Sequence, residues 1–290
     1  MTVAAVLVPL LVLWVVGHFY SRSVNRTLSV RYPRDPSGVI VGAAEIDRPG
    51  TNGAAVLLIH GAGDTPQTLR HLSDALNARG YAVVAPLLPG HGRSLSDLAA
   101  SSADDWYADV RDRYARLRET HGWTGVVGLS MGGALAARLA ADTPEVDALV
   151  LAAPYLTMPR GEDLAVRTSL VWGFFVPYVG TSNDLSVLDP DARSAGLSYG
   201  AMSTGALRGL RVTARRGWDS LRRIRTPTLV VQSRTDNRVS AADTERAYHL
   251  LGAEDKAIEW IEGAGHVITV DYGWQHVASL VVNWMDAHRA

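Results

Sequence analysis

Two pentapeptides in this sequence could each present a nucleophilic serine. GLSMG covers residues 128–132, GLSYG covers residues 196–200, and both fit the pattern Gly-x-Ser-x-Gly. A pattern this short also arises by chance, so the flanking sequence has to decide between the two. Ser130 ends an apolar run and opens an Ala-rich one, and a tight strand-to-helix turn of this kind holds a serine hydroxyl clear of a sheet. Ser198 follows the turn-forming segment LDPDARSA and is predicted to be an ordinary serine near a helix cap.

A serine hydroxyl becomes an effective nucleophile only when a base removes its proton and a carboxylate orients that base. Among nine histidines, His266 lies in EGAGHVIT, on a loop of small residues after the last predicted strand. Asp236 is the only carboxylate on the loop after the preceding strand, although an aspartate there could also cap a turn or helix. Serine, acid and histidine then follow in the order expected for a serine on a strand-to-helix turn. The sequence predicts the triad Ser130, Asp236 and His266.

Acyl transfer also needs two N–H donors for the oxyanion of the tetrahedral intermediate. The Met131 N–H follows the serine at a predicted helix N-terminus, where negative charge is stabilised. The second donor is expected from the small residues of the loop IHGAGDTP, with Ala62 preferred and Gly61 or Gly63 as the nearest substitutes. We therefore predict an oxyanion hole formed by Ala62 and Met131.

Two further histidines lie in loops at the same edge of the predicted sheet. His60 belongs to HGAG, and His91 belongs to PLLPGHGRS. We predict that both hold the geometry of their loops by hydrogen bonding and do not transfer protons.

Apolar runs alternate with helical patterns along the chain, and this alternation indicates a parallel β-sheet covered by helices on both faces. The predicted strands cover residues 54–60, 81–88, 124–130, 146–154, 226–233 and 256–263. The predicted helices cover residues 65–79, 103–122, 131–142, 241–251 and 274–288. The fold class is therefore α/β, with a core formed by residues 51–155 and 226–290.

Residues 156–225 interrupt the alternation, and a segment of that length needs structure of its own. We predict a helical cap over the carboxyl edge of the sheet, which is where open α/β sheets bind ligands. Its apolar stretch LVWGFFVPYVG contains Trp172, Phe174 and Phe175. These aromatic side chains either line an acyl-chain tunnel or membrane-facing entrance, or pack the core of the cap itself.

Residues 1–21 form an apolar run with no charged side chain, and about 20 such residues can cross a bilayer as a helix. We predict a membrane anchor there, followed by a linker with edge strands over residues 22–50. A cleaved signal peptide and a buried helix are the alternatives. Four arginines follow the run, which by the positive-inside rule predicts a cytoplasmic catalytic domain. They are Arg22, Arg26, Arg31 and Arg34.

The chain has 290 residues and a formal net charge of −1, so no basic excess suggests a nucleic-acid partner. It has no cysteine, which excludes disulfides, cysteine-ligated zinc and a thiol nucleophile. The predicted chemistry requires neither a metal nor an organic cofactor.

The motifs HGAG, PGHGRS, GLSMGG, SRTD and GAGHVIT occur in that order, and with them the chain resembles the α/β-hydrolases over about residues 50–290. More narrowly, it is similar to monoacylglycerol lipases and to bacterial carboxylesterases with a small cap. The resemblance implies the same triad and oxyanion donors. Haloalkane dehalogenases and epoxide hydrolases of this fold use an aspartate at the nucleophile position, so Ser130 argues against both.

The resemblance implies a serine hydrolase of carboxylic esters, with monoacylglycerols or esters of medium and long acyl chains as substrates. A thioesterase, a lysophospholipase or an acyltransferase could use the same triad. A ligand-binding homologue without activity is a more remote alternative. The expected partner is a small ester or lipid.

Overall fold

The computed structural model describes residues 3–181 and 184–289, without the side chains of residues 3–7, 28 and 29. Its strands are β1 (Ile46–Arg48), β2 (Ala54–Ile59), β3 (Ala82–Ala85), β4 (Trp123–Leu129), β5 (Ala148–Ala152), β6 (Tyr178–Gly180), β7 (Ala201–Ser203), β8 (Thr228–Ser233) and β9 (Lys256–Ile261). Seven of them form one sheet in the order β1-β3-β2-β4-β5-β8-β9. The β1–β3 pair is antiparallel and all other pairs in this sheet are parallel. The predicted α/β fold is confirmed.

Helices cover both faces of this sheet. The α-helices of the described residues, including those that lie away from this sheet, are α1 (Val3–Arg31), α2 (Arg70–Ala78), α3 (Leu95–Ala100), α4 (Ala103–Thr120), α5 (Met131–Asp142), α6 (Arg160–Trp172), α7 (Pro190–Ala195), α8 (Thr204–Ser220), α9 (Ala241–Leu250) and α10 (Trp274–Ala287). On β2, Val56 and Leu58 pack with α2 and α10, whereas Leu57 and Ile59 pack with α4 and α5. Both sets are buried because successive side chains of a strand point to opposite faces, which explains the uninterrupted apolar run.

Among its described residues, the segment between β5 and β8 contains three α-helices and a short 3-10 helix, together with a two-stranded antiparallel sheet of β6 and β7 that a purely helical cap would lack. Helix α8 packs directly on α5, where a Cβ at Gly217 would come within 2.8 Å of Ala134. Helix α6 packs in turn on α8. This segment therefore rests on the helix that follows Ser130 and lies above the carboxyl edge of the sheet.

Helix α1 continues ten residues beyond the predicted boundary at residue 21, so the first third of the predicted linker 22–50 is helical. No glycine or proline interrupts residues 18–31, and arginine and serine on an exposed face do not break a helix. The middle of α1 lies against the segment before β6. The two backbones are so close there that a side chain at Gly17 would collide with the Phe175 carbonyl oxygen. In the part of the chain that the structure describes, we found no helix with the length and apolarity needed to span a membrane.

Candidate active site

Ser130 occupies a sharp turn between β4 and α5. Its backbone has φ 56° and ψ −118°, a conformation that costs a non-glycine residue energy. The turn is possible only because its neighbours are small. A Cβ at Gly128 would collide with Gly132, and a Cβ at Gly132 would collide with the carbonyl oxygen of Ile59 on β2. The GLSMGG motif therefore forms a close-packed elbow that presents the serine at the carboxyl end of β4.

Ser130, His266 and Asp236 meet in one hydrogen-bonded chain. His266 Nε2 lies 2.8 Å from Ser130 Oγ, and His266 Nδ1 lies 2.7 Å from Asp236 Oδ2. A carboxylate only accepts, so the proton belongs on Nδ1 and the Nε2 lone pair faces the serine hydroxyl. The imidazole can therefore take the Ser130 proton, and the carboxylate can stabilise the resulting cation.

The Asp236 carboxylate is fully bonded in its loop. Oδ1 accepts the backbone N–H groups of Arg238 and Val239 at 2.7 and 3.0 Å, and Oδ2 accepts Gln232 Nε2 at 2.8 Å besides His266. Burial by itself raises the pKa of Asp236, but the bond and charge of His266 and the two backbone bonds outweigh burial and leave the pKa below its usual value. Asp236 is therefore held ionised, as an orienting carboxylate must be.

Gln232 was not singled out from the sequence, although it is completely buried on β8. The sequence feature that could have identified Gln232 is a single amide side chain in the predicted strand TPTLVVQS. A polar side chain buried in a sheet needs a hydrogen-bond partner, so such a residue merits attention. The identity of that partner, four residues along the chain, depends on how the next loop folds back.

Ala62 follows a glycine that contacts Ser130, and Met131 is the next residue along the chain from Ser130. A Cβ at Gly61 would come within 3.2 Å of Ser130 Cβ, so the HGAG loop is in contact with the nucleophile. Met131 is the first residue of α5, where a backbone N–H has no partner within the helix. Within the described residues, neither the Ala62 N–H nor the Met131 N–H donates to a protein group. Both donors remain available for an oxyanion.

His60 and His91 are buried between the two loops that flank the site. Burial lowers the pKa of His60 well below its usual value, with a smaller contribution from the nearby His91. His60 Nδ1 donates to the Gly61 carbonyl at 2.8 Å, and its Nε2 accepts the Leu88 N–H at 3.1 Å. Burial also lowers the pKa of His91 to about 4. Both histidines are neutral at pH 7. The hydrogen bonds of His60 join the two loop backbones, whereas His91 Nδ1 donates to the Pro89 carbonyl of its own loop at 3.1 Å.

A cavity of about 490 Å³ opens above Ser130 and His266, between the sheet edge and the segment that follows β5. Its wall is largely apolar, with contributions that include Leu129, Met158, Val166, Trp172, Val179, Met202, Leu207, Leu210 and Val270. Of the three aromatic residues predicted to contact substrate, Trp172 lines this cavity. Phe174 and Phe175 do not line the cavity; Phe174 is 67% exposed and Phe175 lies against α1.

The second candidate serine, Ser198, also lines this cavity. It is in the irregular segment before β7, and its carbonyl oxygen accepts the Tyr32 hydroxyl at 3.0 Å. Its setting lacks the strand-to-helix turn of Ser130, as the flanking sequence indicated. Among the described residues, no group of three or more histidine, cysteine or acidic side chains is arranged to hold a metal ion.

Asp64 is a cavity residue that the sequence reading missed. It is buried, Oδ2 accepts the Thr68 hydroxyl at 2.7 Å, and Oδ1 has no partner within the described protein. Burial raises the pKa of Asp64 to about 6, although the hydrogen bond from Thr68 by itself lowers it. A carboxyl group beside the oxyanion loop therefore changes charge in the physiological pH range.

The sequence was compared with models of known families. The model Hydrolase_4, described as serine aminopeptidase S33, matches residues 50–272. The matched region begins just before β2 and includes every residue of the Ser130–His266–Asp236 chain.

Curated relatives and solved structures agree with this match. A thermostable monoacylglycerol lipase from Bacillus sp. strain H-257 is 30% identical over 217 residues, which cover 75% of this chain and 84% of the lipase. A carboxylesterase from Bacillus subtilis strain 168 is 29% identical over 75% of this chain and 86% of the esterase. A solved structure from work on LipS and LipT, two metagenome-derived lipolytic enzymes, has a TM-score of 0.78 and 27% identity, and the alignment covers 86% of this chain and all of that one.

Proposed function

Because the chain belongs to the serine aminopeptidase S33 family of α/β-hydrolases and is a carboxylic ester hydrolase, we propose that it cleaves its substrates through an acyl-enzyme on Ser130. The observation that carries this proposal is the 2.8 Å contact between His266 Nε2 and Ser130 Oγ, with the other ring nitrogen on a buried carboxylate. In the first half-reaction, His266 takes the serine proton while Oγ bonds to the ester carbonyl carbon. The oxyanion accepts the Ala62 and Met131 N–H groups.

Collapse of that intermediate breaks the ester C–O bond, and His266 returns the proton to the departing alcohol. Water then attacks the acyl-enzyme with His266 as base, and the acid leaves as Ser130 recovers its proton. Asp236 keeps the Nδ1 proton in place and stabilises the cationic imidazole throughout. Each half-reaction begins and ends with the same protonation states.

We propose monoacylglycerols or other esters of medium and long acyl chains as the substrates. The apolar wall of the 490 Å³ cavity supports this class, because a hydrocarbon chain gains about 0.8 kcal/mol per buried methylene. The relatives named as a monoacylglycerol lipase and a carboxylesterase favour the same class.

The test combines active-site labelling with a hydrolysis profile. A fluorophosphonate should label the wild-type protein once, and Ser130→Ala should abolish labelling while Ser198→Ala, the matched control, retains it. Loss of labelling in Ser198→Ala alone would refute our choice of nucleophile. Loss of a triad member removes orders of magnitude in kcat, so Ser130→Ala should fall to the background rate.

The same protein is then assayed with monoacylglycerols and p-nitrophenyl esters from acetyl to palmitoyl. We expect kcat/KM to rise with chain length; a sharp preference for acetyl esters would refute the lipid assignment. Thioester, lysophospholipid and added-alcohol assays run in parallel. A faster reaction in one of them would reassign the enzyme as a thioesterase, lysophospholipase or acyltransferase.

We also propose that the apolar N-terminal segment, residues 1–21, attaches the enzyme to a membrane, with the catalytic part on the cytoplasmic side. The support is an unusual exposure of apolar side chains, with Val16 59% and Phe19 67% exposed. Vesicle co-sedimentation tests this: Val16→Asp/Phe19→Asp should release the protein, whereas Val41→Asp, an equally exposed valine outside α1, should not. Secretion is the alternative, and a mature N-terminus found beyond residue 21 would establish it.

A further inference from the structure

One fully buried carboxylate lies outside the triad and is not needed by the reaction as written above. Asp271 has no exposed surface, and it follows His266 by five residues on the same loop. Burying a charge without compensation is expensive, so the groups that surround this carboxylate indicate what it does.

Asp271 accepts four backbone N–H groups, two from its own loop and two from the insertion. Oδ2 accepts Gly265 at 2.6 Å and Leu188 at 2.8 Å, while Oδ1 accepts Asp189 and Tyr272 at 2.8 Å each. Gly265 directly precedes the candidate base, and Leu188 and Asp189 lie in the insertion, more than 75 residues earlier. Bonds to a charged acceptor are about twice as strong as neutral ones, so this carboxylate is a strong link between the two segments.

A second set of contacts joins the same segments without Asp271. On the other side of His266, the Val267 N–H donates to the Ser186 carbonyl at 2.9 Å. Gly265 approaches the insertion so closely that a Cβ would lie 2.7 Å from the carbonyl oxygens of both Leu185 and Ser186. Both chain neighbours of the imidazole are therefore held by residues 185–189.

The junction also reaches the substrate cavity. Asp189 caps α7 through its own side chain, which accepts the Asp191 and Ala192 N–H groups. Ser186, Val187 and Ala192 line the cavity, whereas Asp271 does not. A carboxylate that touches neither substrate space nor reacting atoms can act only through the backbone that it holds.

We propose that Asp271 is a positioning residue for the hydrolysis: it fastens the insertion segment 185–189 to the loop of His266 and keeps the imidazole in line with Ser130 and Asp236. The inference rests on the proposed function, since it assigns His266 as the base. A displacement of about 1 Å at a reacting group can cost roughly 100-fold in rate. Losing the link should therefore reduce turnover in a protein that is still folded.

The principal variant is Asp271→Asn, which keeps the side-chain volume but replaces one acceptor oxygen with an NH₂ group that faces N–H donors. We expect kcat per titrated active site to fall by about 10- to 100-fold at temperatures well below Tm, with the rate of fluorophosphonate labelling falling in parallel. KM should change by less than about threefold, because Asp271 is not a wall residue. Asp191→Asn, the same substitution at an exposed position of α7, should stay within twofold of wild type.

A second variant perturbs the same junction through Gly265 instead of Asp271. Gly265→Ala leaves Asp271 intact but pushes against the carbonyls of residues 185 and 186, and it should reproduce the loss of kcat. If both changes break one junction, the double variant should lose far less than the product of the two single losses. If Asp271→Asn does not fold, the kcat and labelling rate of Gly265→Ala by themselves test the proposal.

A lower Tm with unchanged kcat and labelling rate in either folded variant would overturn the proposal, because it would assign Asp271 a purely structural role. If the double variant loses as much kcat as the product of the two single losses, Asp271 and Gly265 do not act through one junction, and that part of the proposal is wrong. An unlabelled, inactive wild-type protein would be a different result: it would refute the proposed function, and this inference with it.

Discussion

At the scale of single residues, the candidate site contains two acidic groups whose surroundings have opposite effects. Four hydrogen bonds keep Asp236 ionised. Burial instead raises the pKa of Asp64 to about 6, and one oxygen of Asp64 has no partner in the described protein. An ionised, underbonded carboxylate in a wall costs stability, and such costs are concentrated at functional sites. Asp64 is therefore expected to weaken the fold at neutral pH.

We predict that Asp64→Asn stabilises the protein above pH 6. The folded-state pKa is raised from the ordinary 3.8 to about 6, so the folded protein resists losing this proton and its stability falls as pH rises from about 4 to 6. Asparagine cannot ionise and can still accept the Thr68 hydroxyl. Its advantage should be near zero at pH 4 and reach about 3 kcal/mol above pH 6.

Urea unfolding of the two proteins at pH 4, 6 and 8 measures this difference. Asp191→Asn, at an exposed position, controls for the change in net charge. A stability difference that does not depend on pH would contradict the raised pKa of Asp64.

At the scale of elements, the elbow between β4 and α5 depends on backbones that approach more closely than side chains allow. Helix α5 begins directly on the serine, and Gly132 in its first turn lies against the Ile59 carbonyl of the neighbouring strand. The partially positive N-terminus of α5 favours negative charge beside Ser130, which is where we propose that the oxyanion forms. The close packing that positions the serine is thus also what places the Met131 donor.

We predict that Gly132→Ala damages both fold and site. The added methyl group would collide with the backbone of β2, which cannot move without disturbing the sheet, so a loss of about 3 kcal/mol or more is expected. Residual folded protein should show at least a tenfold lower kcat/KM. Thermal unfolding and ester hydrolysis measure the two effects.

Gly161→Ala is the matched control, because a Cβ at that position in α6 meets nothing within 4 Å. It should be neutral or stabilising by up to about 1 kcal/mol. Equal effects of the two substitutions would show that the elbow tolerates a side chain.

At the scale of the whole molecule, the cavity belongs to neither part of the chain alone. The sheet edge supplies Leu129 and His266, whereas the insertion supplies Trp172, Met202 and Leu207. Chain-length preference is therefore a property of how the insertion lies on the core, and side chains of the insertion can change it without touching the triad.

We predict that Leu207→Trp shifts the preference towards short acyl chains. Leu207 is half-buried in the wall on α8, so a larger ring there takes space from the acyl chain. The kcat/KM for dodecanoyl esters should fall at least tenfold while that for acetyl esters stays within about threefold. Leu164→Trp, at a 64% exposed position of α6 outside the wall, should leave the profile unchanged.

The positions of Ser130, Asp236 and His266 were accessible from the sequence because each follows a predicted strand: Ser130 directly follows β4, and Asp236 and His266 lie on the loops after β8 and β9. Strand ends of a parallel sheet meet at one edge, so local patterns predict the convergence that the distances of 2.7 and 2.8 Å describe. The partners of Gln232 and Asp271 were not accessible in the same way. Their bonds join segments whose relative placement no local pattern encodes.

The limits of the sequence are clearest at the N-terminus and in the insertion. Apolarity predicted a helix over residues 1–21, and the absence of glycine and proline over residues 18–31 lets it continue to Arg31, but its contact with Phe175 depends on packing against the insertion. In the same way, composition grouped Trp172 with Phe174, whereas the structure turns only the tryptophan into the cavity. Sequence alone determined the fold class and indicated which serine, histidine and aspartate would meet, because strand and turn signals are local. Tertiary structure decided the cavity wall, the raised pKa of Asp64 and the Asp271 junction, because these depend on which distant surfaces meet.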